Sequence, residues 1–247
     1  MNEKTSDKPS VLRETDDEAR RLARVLVRGA RHMSLAVIDA ETGFPSASRA
    51  LTATDLDGVP VILASALSAH TRALLADPRC SLLAGEPGKG DPLAYPRITV
   101  LCLAQPVDRA GDAHVLLRER FLDRHPKASL YVDFPDFRFF RLTPQSASLN
   151  GGFGKAYALP GSDLRIAESH APAEWRDLQR RLRGMTEEAT TLAARLTSHN
   201  QINCRFAGVD PSGFDLVWGD NQLRHEFVEP LFSADDALKH IGELSNS

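Results

Sequence analysis

Ser65, Ser68, Thr71 and Arg72 gather three hydroxyls and a guanidinium where the apolar run PVILAS gives way to the helical pattern AHTRALLA. Hydroxyls, an arginine and the free N–H groups of a helix start form a set that can converge on one anion, a phosphate above all. The same hydroxyls are also ordinary helix-capping residues, and Arg72 alone reads equally as a solvated helix residue. Arg49 interrupts a run of small residues, ASRAL, and is either a second cation for that anion or a side chain facing water.

Other chemistries find less support. The eight histidines, His32, His70, His114, His125, His170, His199, His225 and His240, form neither HxxxH nor HExxH, so a zinc site is not expected. His125, before Pro126, reads as a cation closing a helix C-terminus. Cys80, Cys102 and Cys204 have no CxxC spacing and fit buried thiols in a reducing, cytoplasmic setting. GGFGK lacks the spacing of a phosphate loop, and no Ser-His-Asp or Cys-His signature is present. WRDLQRRLR reads as a solvated helix face, and the Gly- and Pro-rich GEPGKGDP as a surface loop or a flap over a ligand.

These residues need a scaffold, and 247 residues with 42% hydrophobic content can supply one. Thirty basic residues against 33 acidic give a net charge of −3, which argues against nucleic-acid or anionic-membrane partners. The N-terminus has no signal-peptide core, and no apolar run is long enough to span a bilayer.

Residues 1–14 are polar and expected to be disordered. Thr15 with Glu18 reads as a capping box for a helix ended by Gly29. Three strands follow over 34–41, 47–55 and 60–65, with Thr42-Gly43 and Asp57-Gly58 as turns. A short helix over 70–76 leads to a strand over 79–86, a long strand over 97–108 and a helix over 112–126. Two last strands are expected over 136–144 and 145–159. A linker at 160–163 divides a barrel domain, 15–160, from a C-terminal α+β module, 161–247. The module reads as one helix over 172–196, strands over 202–209, 214–218 and 223–230, and a helix over 234–244 capped by Ser233. The fold class is α+β, mainly β: an antiparallel split β-barrel with a small appended module.

The segments PSASRALTATDLDGVPVILASALSAHTRALLADPRCSLL, GDPLAYPRITVLCLAQPV, RERFLDRHPKASLYVDFPDFRFFRL and GGFGKAY, with the order of elements around them, carry a family likeness. They resemble the pyridoxamine 5'-phosphate oxidase-like FMN-binding split-barrel superfamily, and within it the HugZ-type haem-utilisation branch. S-x-L-x-x-H-T-R-x-L-x-x-D-P-R, Ser65 to Arg79, is the most specific match, and DPSGFDLVWGD marks the module.

The resemblance implies a homodimer with two ligand sites at the subunit interface. It implies that Ser65, Ser68, Thr71, Arg72 and Arg49 hold an FMN phosphate, and that Arg97 contacts the flavin ring. His70 stands where the oxidases carry a lysine. Asp136 matches an acid that supports a haem-ligating histidine in haem-degrading relatives; His170, then His225, are the first choices for that ligand. Where the branch has a His-Met-Asn-x-Asp-His pattern, this chain has Gly184, Met185, Thr186, Glu187, Glu188 and Ala189, so both imidazoles are absent. The function expected is an FMN-dependent oxidoreductase, with a haem-degrading oxygenase or a non-catalytic flavin or haem store as alternatives.

Overall fold

Alternation shapes several strands in the first half of the chain, as Arg97–Pro106 illustrates: Ile98, Val100, Cys102 and Ala104 are buried while Thr99, Leu101 and Leu103 face out. A computed structural model of the chain describes residues 12–152, 154–166, 171–197 and 202–246. The strands are β1 His32–Ile38, β2 Pro45–Thr54, β3 Pro60–Ser65, β4 Arg79–Ala84, β5 Arg97–Pro106, β6 Phe137–Asn150 and β7 Ala156–Pro160. They form one antiparallel sheet in the order β3-β2-β1-β4-β5-β6-β7, and a further β3–β6 pairing closes six of them into a barrel. Closure pairs both edges of the six-stranded ring, and β7 adds to β6 outside it.

Helix α1, Asp17–Gly29, packs Ala19, Ala23 and Val27 against the barrel core. Its cap is Asp16, not Thr15: the Asp16 carboxylate accepts from Ala19 N at 2.8 Å, while the Thr15 hydroxyl donates to the Ala158 carbonyl on β7. The short helix α2, Ala69–Ala76, follows β3, and α3, Asp112–Arg124, follows β5. The expected break at residue 144 is absent. β6 runs unbroken through Pro144, and the register shift falls between Leu101 and Cys102 on the partner strand.

The single helix expected over 172–196 is two, α4 Pro172–Leu182 and α5 Thr186–Thr197, parted at Gly184. The break lets Trp175, Leu178 and Leu182 on one helix and Ala189, Leu192 and Ala193 on the other reach the same core. That core lies against β8 Arg205–Asp210, β9 Gly213–Trp218 and β10 Asn221–Glu226, a three-stranded antiparallel sheet, and α6 Ala234–Asn246. The basic face of α4 is not solvated alone: Arg176, Arg180 and Arg183 all pair with Glu119 of α3, and Arg183 also with Asp123.

A buried ionic cluster joins the sheet to the barrel. Arg28 of α1 lies 3.1 Å from Asp210 of β8, and both side chains have no exposure. Arg224 of β10 pairs with the same carboxylate at 2.7 Å, and Arg124 of α3 pairs with Asp215 of β9 at 2.7 Å. Arg120 donates to the carbonyls of Thr54 and Val209. Burial alone would raise the Asp210 pKa, but Arg224 and Arg28 beside it hold the carboxyl well below the usual range.

His125 does follow α3, but not as a cation. It is buried, its Nε2–H donates to the Thr52 carbonyl at 2.8 Å, and burial pushes its pKa down from 6.5 to about 4. The ring packs on Phe121 with centroids 4.8 Å apart.

Candidate functional site

The corner between β3 and α2 is tied by hydroxyls. Ser65 Oγ donates to Asp136 Oδ2 at 2.6 Å and accepts from Leu67 N at 3.1 Å. The backbone repeats the link, since Ala66 N donates to the Asp136 carbonyl at 2.7 Å. Thr71 is buried and its hydroxyl donates to the Ser65 carbonyl at 2.6 Å. Ser68 occupies the cap position of α2 without capping through its side chain. Arg72 is exposed and donates to the Leu67 carbonyl at 3.2 Å.

Alternation along β2 separates the remaining residues. Ser48 is half-buried and its hydroxyl lies 3.2 Å from His70 Nδ1; burial lowers the His70 pKa, favouring the neutral ring. Arg49, next in the chain, emerges on the opposite, exposed face, level with Ser34 of β1. Arg97 is spent locally, its Nη1 donating to the carbonyls of Leu93 and Tyr95 and shaping the turn into β5. The structure thus brings together Ser65, Thr71 and Asp136 in one network and His70 with Ser48, while Arg49 and Arg97 stand apart from both.

Of the histidines singled out for haem, His170 lies outside the described residues. His225 is half-buried on β10, directly opposite Phe214, with ring centroids 5.0 Å apart, and burial lowers its pKa. It also neighbours Phe227 and behaves as part of an aromatic cluster.

The barrel's outer face is unusually apolar. Ile38, Leu51, Leu83, Leu101 and Leu103 are all at least 37% exposed and come from four adjoining strands, β2, β1, β4 and β5. Register places Arg49, Ser34, Leu83, Thr99 and Ser148 in one row across this face. At its end lies a cleft of about 750 Å³, lined by His32, Leu51, Glu86 and, from β10, Gln222 and Leu223. Composition does not reveal His32. It differs from the other imidazoles only in opening a strand on the same parity as Ser34, Ala36 and Ile38, which needs the register to interpret.

A second cleft, about 530 Å³, lies between α3, α4 and the β2–β3 turn. Both of its arginines are paired: Arg141 with Asp55 at 2.9 Å and Asp57 at 3.0 Å, and Arg176 with Glu119 at 2.7 Å. Among the described residues no group of histidine, cysteine and carboxylate side chains could hold a metal ion unaided, and no helix is long and apolar enough to cross a membrane.

A closed antiparallel barrel with an added strand, a short helix after β3 and a small α+β module define a split-barrel protein of the pyridoxamine 5'-phosphate oxidase-like superfamily. The family model "CREG, beta-barrel" matches residues 14–164, and the chain belongs to that family. Over 116 residues it is 40% identical to the non-canonical heme oxygenase HOZ, chloroplastic, of Arabidopsis thaliana, covering 47% of this chain and 34% of that protein. The chain therefore matches about a third of the length of this curated relative. Among solved structures, the protein Atu2129 of unknown function from Agrobacterium tumefaciens str. C58 aligns with a TM-score of 0.80 and 28% identity, over 96% of this chain and 100% of that one. A heme binding protein from Mycobacterium smegmatis aligns with a TM-score of 0.56 and 26% identity, over 94% and 98%.

Proposed function

We propose that this chain is a haem-binding split-barrel protein that acts as a homodimer and serves oxygen-dependent haem cleavage. The observation that carries the choice of haem over FMN is the 2.6 Å bond from Ser65 to Asp136. A flavin phosphate brings roughly two negative charges, and a carboxylate already accepting from the central hydroxyl of the corner opposes them. Haem brings a wide apolar ring and two carboxylates, which suit an outer face of exposed aliphatics beside Arg49. The similarity to a heme oxygenase and to a heme binding protein supports the same choice. When bound, haem supplies an iron at which oxygen is activated.

The homodimer rests on the same face, because an aliphatic patch spread over four strands of a folded protein marks a contact surface. An FMN-dependent oxidoreductase is the second reading. The exposed Arg49 guanidinium and the uncommitted Ser68 side chain at the start of α2 favour it. Absorbance titration of the purified chain with haemin and with FMN separates the two. A saturable Soret band with haemin and no flavin binding is expected; the reverse result overturns the proposal. Adding ascorbate under air then distinguishes cleavage, in which the Soret band is lost to a bile-pigment product, from storage, in which it persists.

A further inference from the structure

The cleft at the end of the barrel's outer face combines polar groups that the ion pairs among the described residues only partly engage. His32 opens β1 and stands opposite Leu51, which is 39% exposed. Its Nδ1 lies 3.7 Å from Glu86 Oε1, and its Nε2 makes no hydrogen bond among the described residues. Across the cleft on β10, both amide atoms of Gln222 are shielded from water and have no hydrogen-bond partner among the described residues. A shielded donor and acceptor left unsatisfied are costly, and a ligand seated against Gln222 would supply the missing partners. Leu26 and Leu223 add apolar wall, and Arg31, 3.6 Å from the exposed Asp220, adds a cation at the mouth.

We infer that this cleft is a haem site in which the His32 imidazole ligates the iron and Gln222 and Arg31 take the ring's carboxylates. The inference rests on the haem reading above and gives it a location that the β3–α2 corner does not provide. The chemistry matches part by part. Iron takes an imidazole nitrogen, and a carboxylate facing the opposite ring nitrogen helps orient the ligand. The aliphatic side chains of Leu26, Leu51 and Leu223 suit a flat hydrocarbon ring. The stranded amide of Gln222 can donate to one carboxylate, and Arg31 can pair with it. A cleft of about 750 Å³ is within the size range of small-molecule sites. FMN would leave the imidazole and the carboxylate behind it without a role.

Haemin titration of the full chain tests the site, read by Soret position, electron paramagnetic resonance and affinity. The wild type is expected to show an imidazole-ligated spectrum. His32→Ala should lose it and weaken binding by about tenfold or more, and added free imidazole should restore it. His32→Tyr, which keeps an aromatic ring on the strand, should bind with the charge-transfer band of a phenolate ligand and serves if the alanine variant fails to fold. Glu86→Gln should weaken binding about tenfold while keeping imidazole ligation. Gln222→Leu should weaken it several-fold with the spectrum unchanged. If the wild type binds haem and the His32 variants give its spectrum and affinity, the site is wrong and the haem reading survives. If the wild type binds no haem, both fall.

Discussion

The Ser65 hydroxyl and the Asp136 carboxylate lie 71 positions apart in the chain and meet through a 2.6 Å hydrogen bond at the β3–α2 corner. Two residues that the family resemblance places in different roles, one for a flavin phosphate and one for a haem ligand, are thus partners of each other. Replacing the carboxylate by an amide keeps an acceptor for Ser65 and removes the charge. Asp136→Asn is therefore expected to raise FMN affinity about tenfold, roughly 1.4 kcal/mol, while leaving haemin affinity unchanged. Flavin fluorescence quenching measures this, and an unaltered FMN affinity removes the electrostatic argument.

The aliphatic outer face gives a second expectation. Leu83 and Leu101, 44% and 52% exposed, sit near its middle on adjacent strands. Leu83→Glu combined with Leu101→Glu should convert a dimer into a folded monomer in sedimentation velocity. A wild type that sediments as a monomer at micromolar concentration would sink the homodimer.

His125 makes stability depend on pH. The unfolded imidazole titrates near 6.5 and the buried one at about 4, so between these values the unfolded state holds more protons. The stabilisation is complete above the unfolded value, declines as pH falls through 6.5 toward 4, and levels off below that. The full effect is about 3 kcal/mol. His125→Gln retains a donor for the Thr52 carbonyl and should flatten this part of the profile in urea unfolding measured between pH 7 and 4.

Asp210 neutralises buried guanidiniums of both Arg28 and Arg224. Removing one partner from such a cluster leaves charge buried and uncompensated, at about 3–5 kcal/mol. Asp210→Asn is expected to lower the melting temperature by roughly 10 °C, as scanning calorimetry would show. A shift of a degree or two would mean that water reaches the cluster.

Much of the barrel was legible in the sequence because its strands alternate and its turns carry glycine. Asp57-Gly58 is one such turn: Gly58 has φ +89°, and a Cβ there would meet the Arg28 guanidinium at 2.1 Å. Two element boundaries were misread for local reasons. Pro144 looks like a strand terminator but sits opposite a register shift, and Gly184 lies in an otherwise unbroken run of helix formers. The site was harder to read. That Arg49 and Ser48 leave opposite faces of β2 follows from strand parity, but that Ser65 meets Asp136, or His32 meets Glu86, depends on which strands become neighbours. The buried arginines were invisible as such, because Arg28, Arg120, Arg124 and Arg224 have the composition of surface residues until the three-stranded sheet docks on α1 and α3.

That docking has a consequence for dissection of the protein. Cutting the chain near residue 160 would strand Arg28, Arg120 and Arg124 on one fragment and Asp210, Asp215 and Arg224 on the other. Each half would carry a bare patch of one dominant sign, positive on the first fragment and negative on the second, where opposite charges had been paired. The fragments should therefore refold poorly alone and reassociate when mixed, with high salt opposing the reunion.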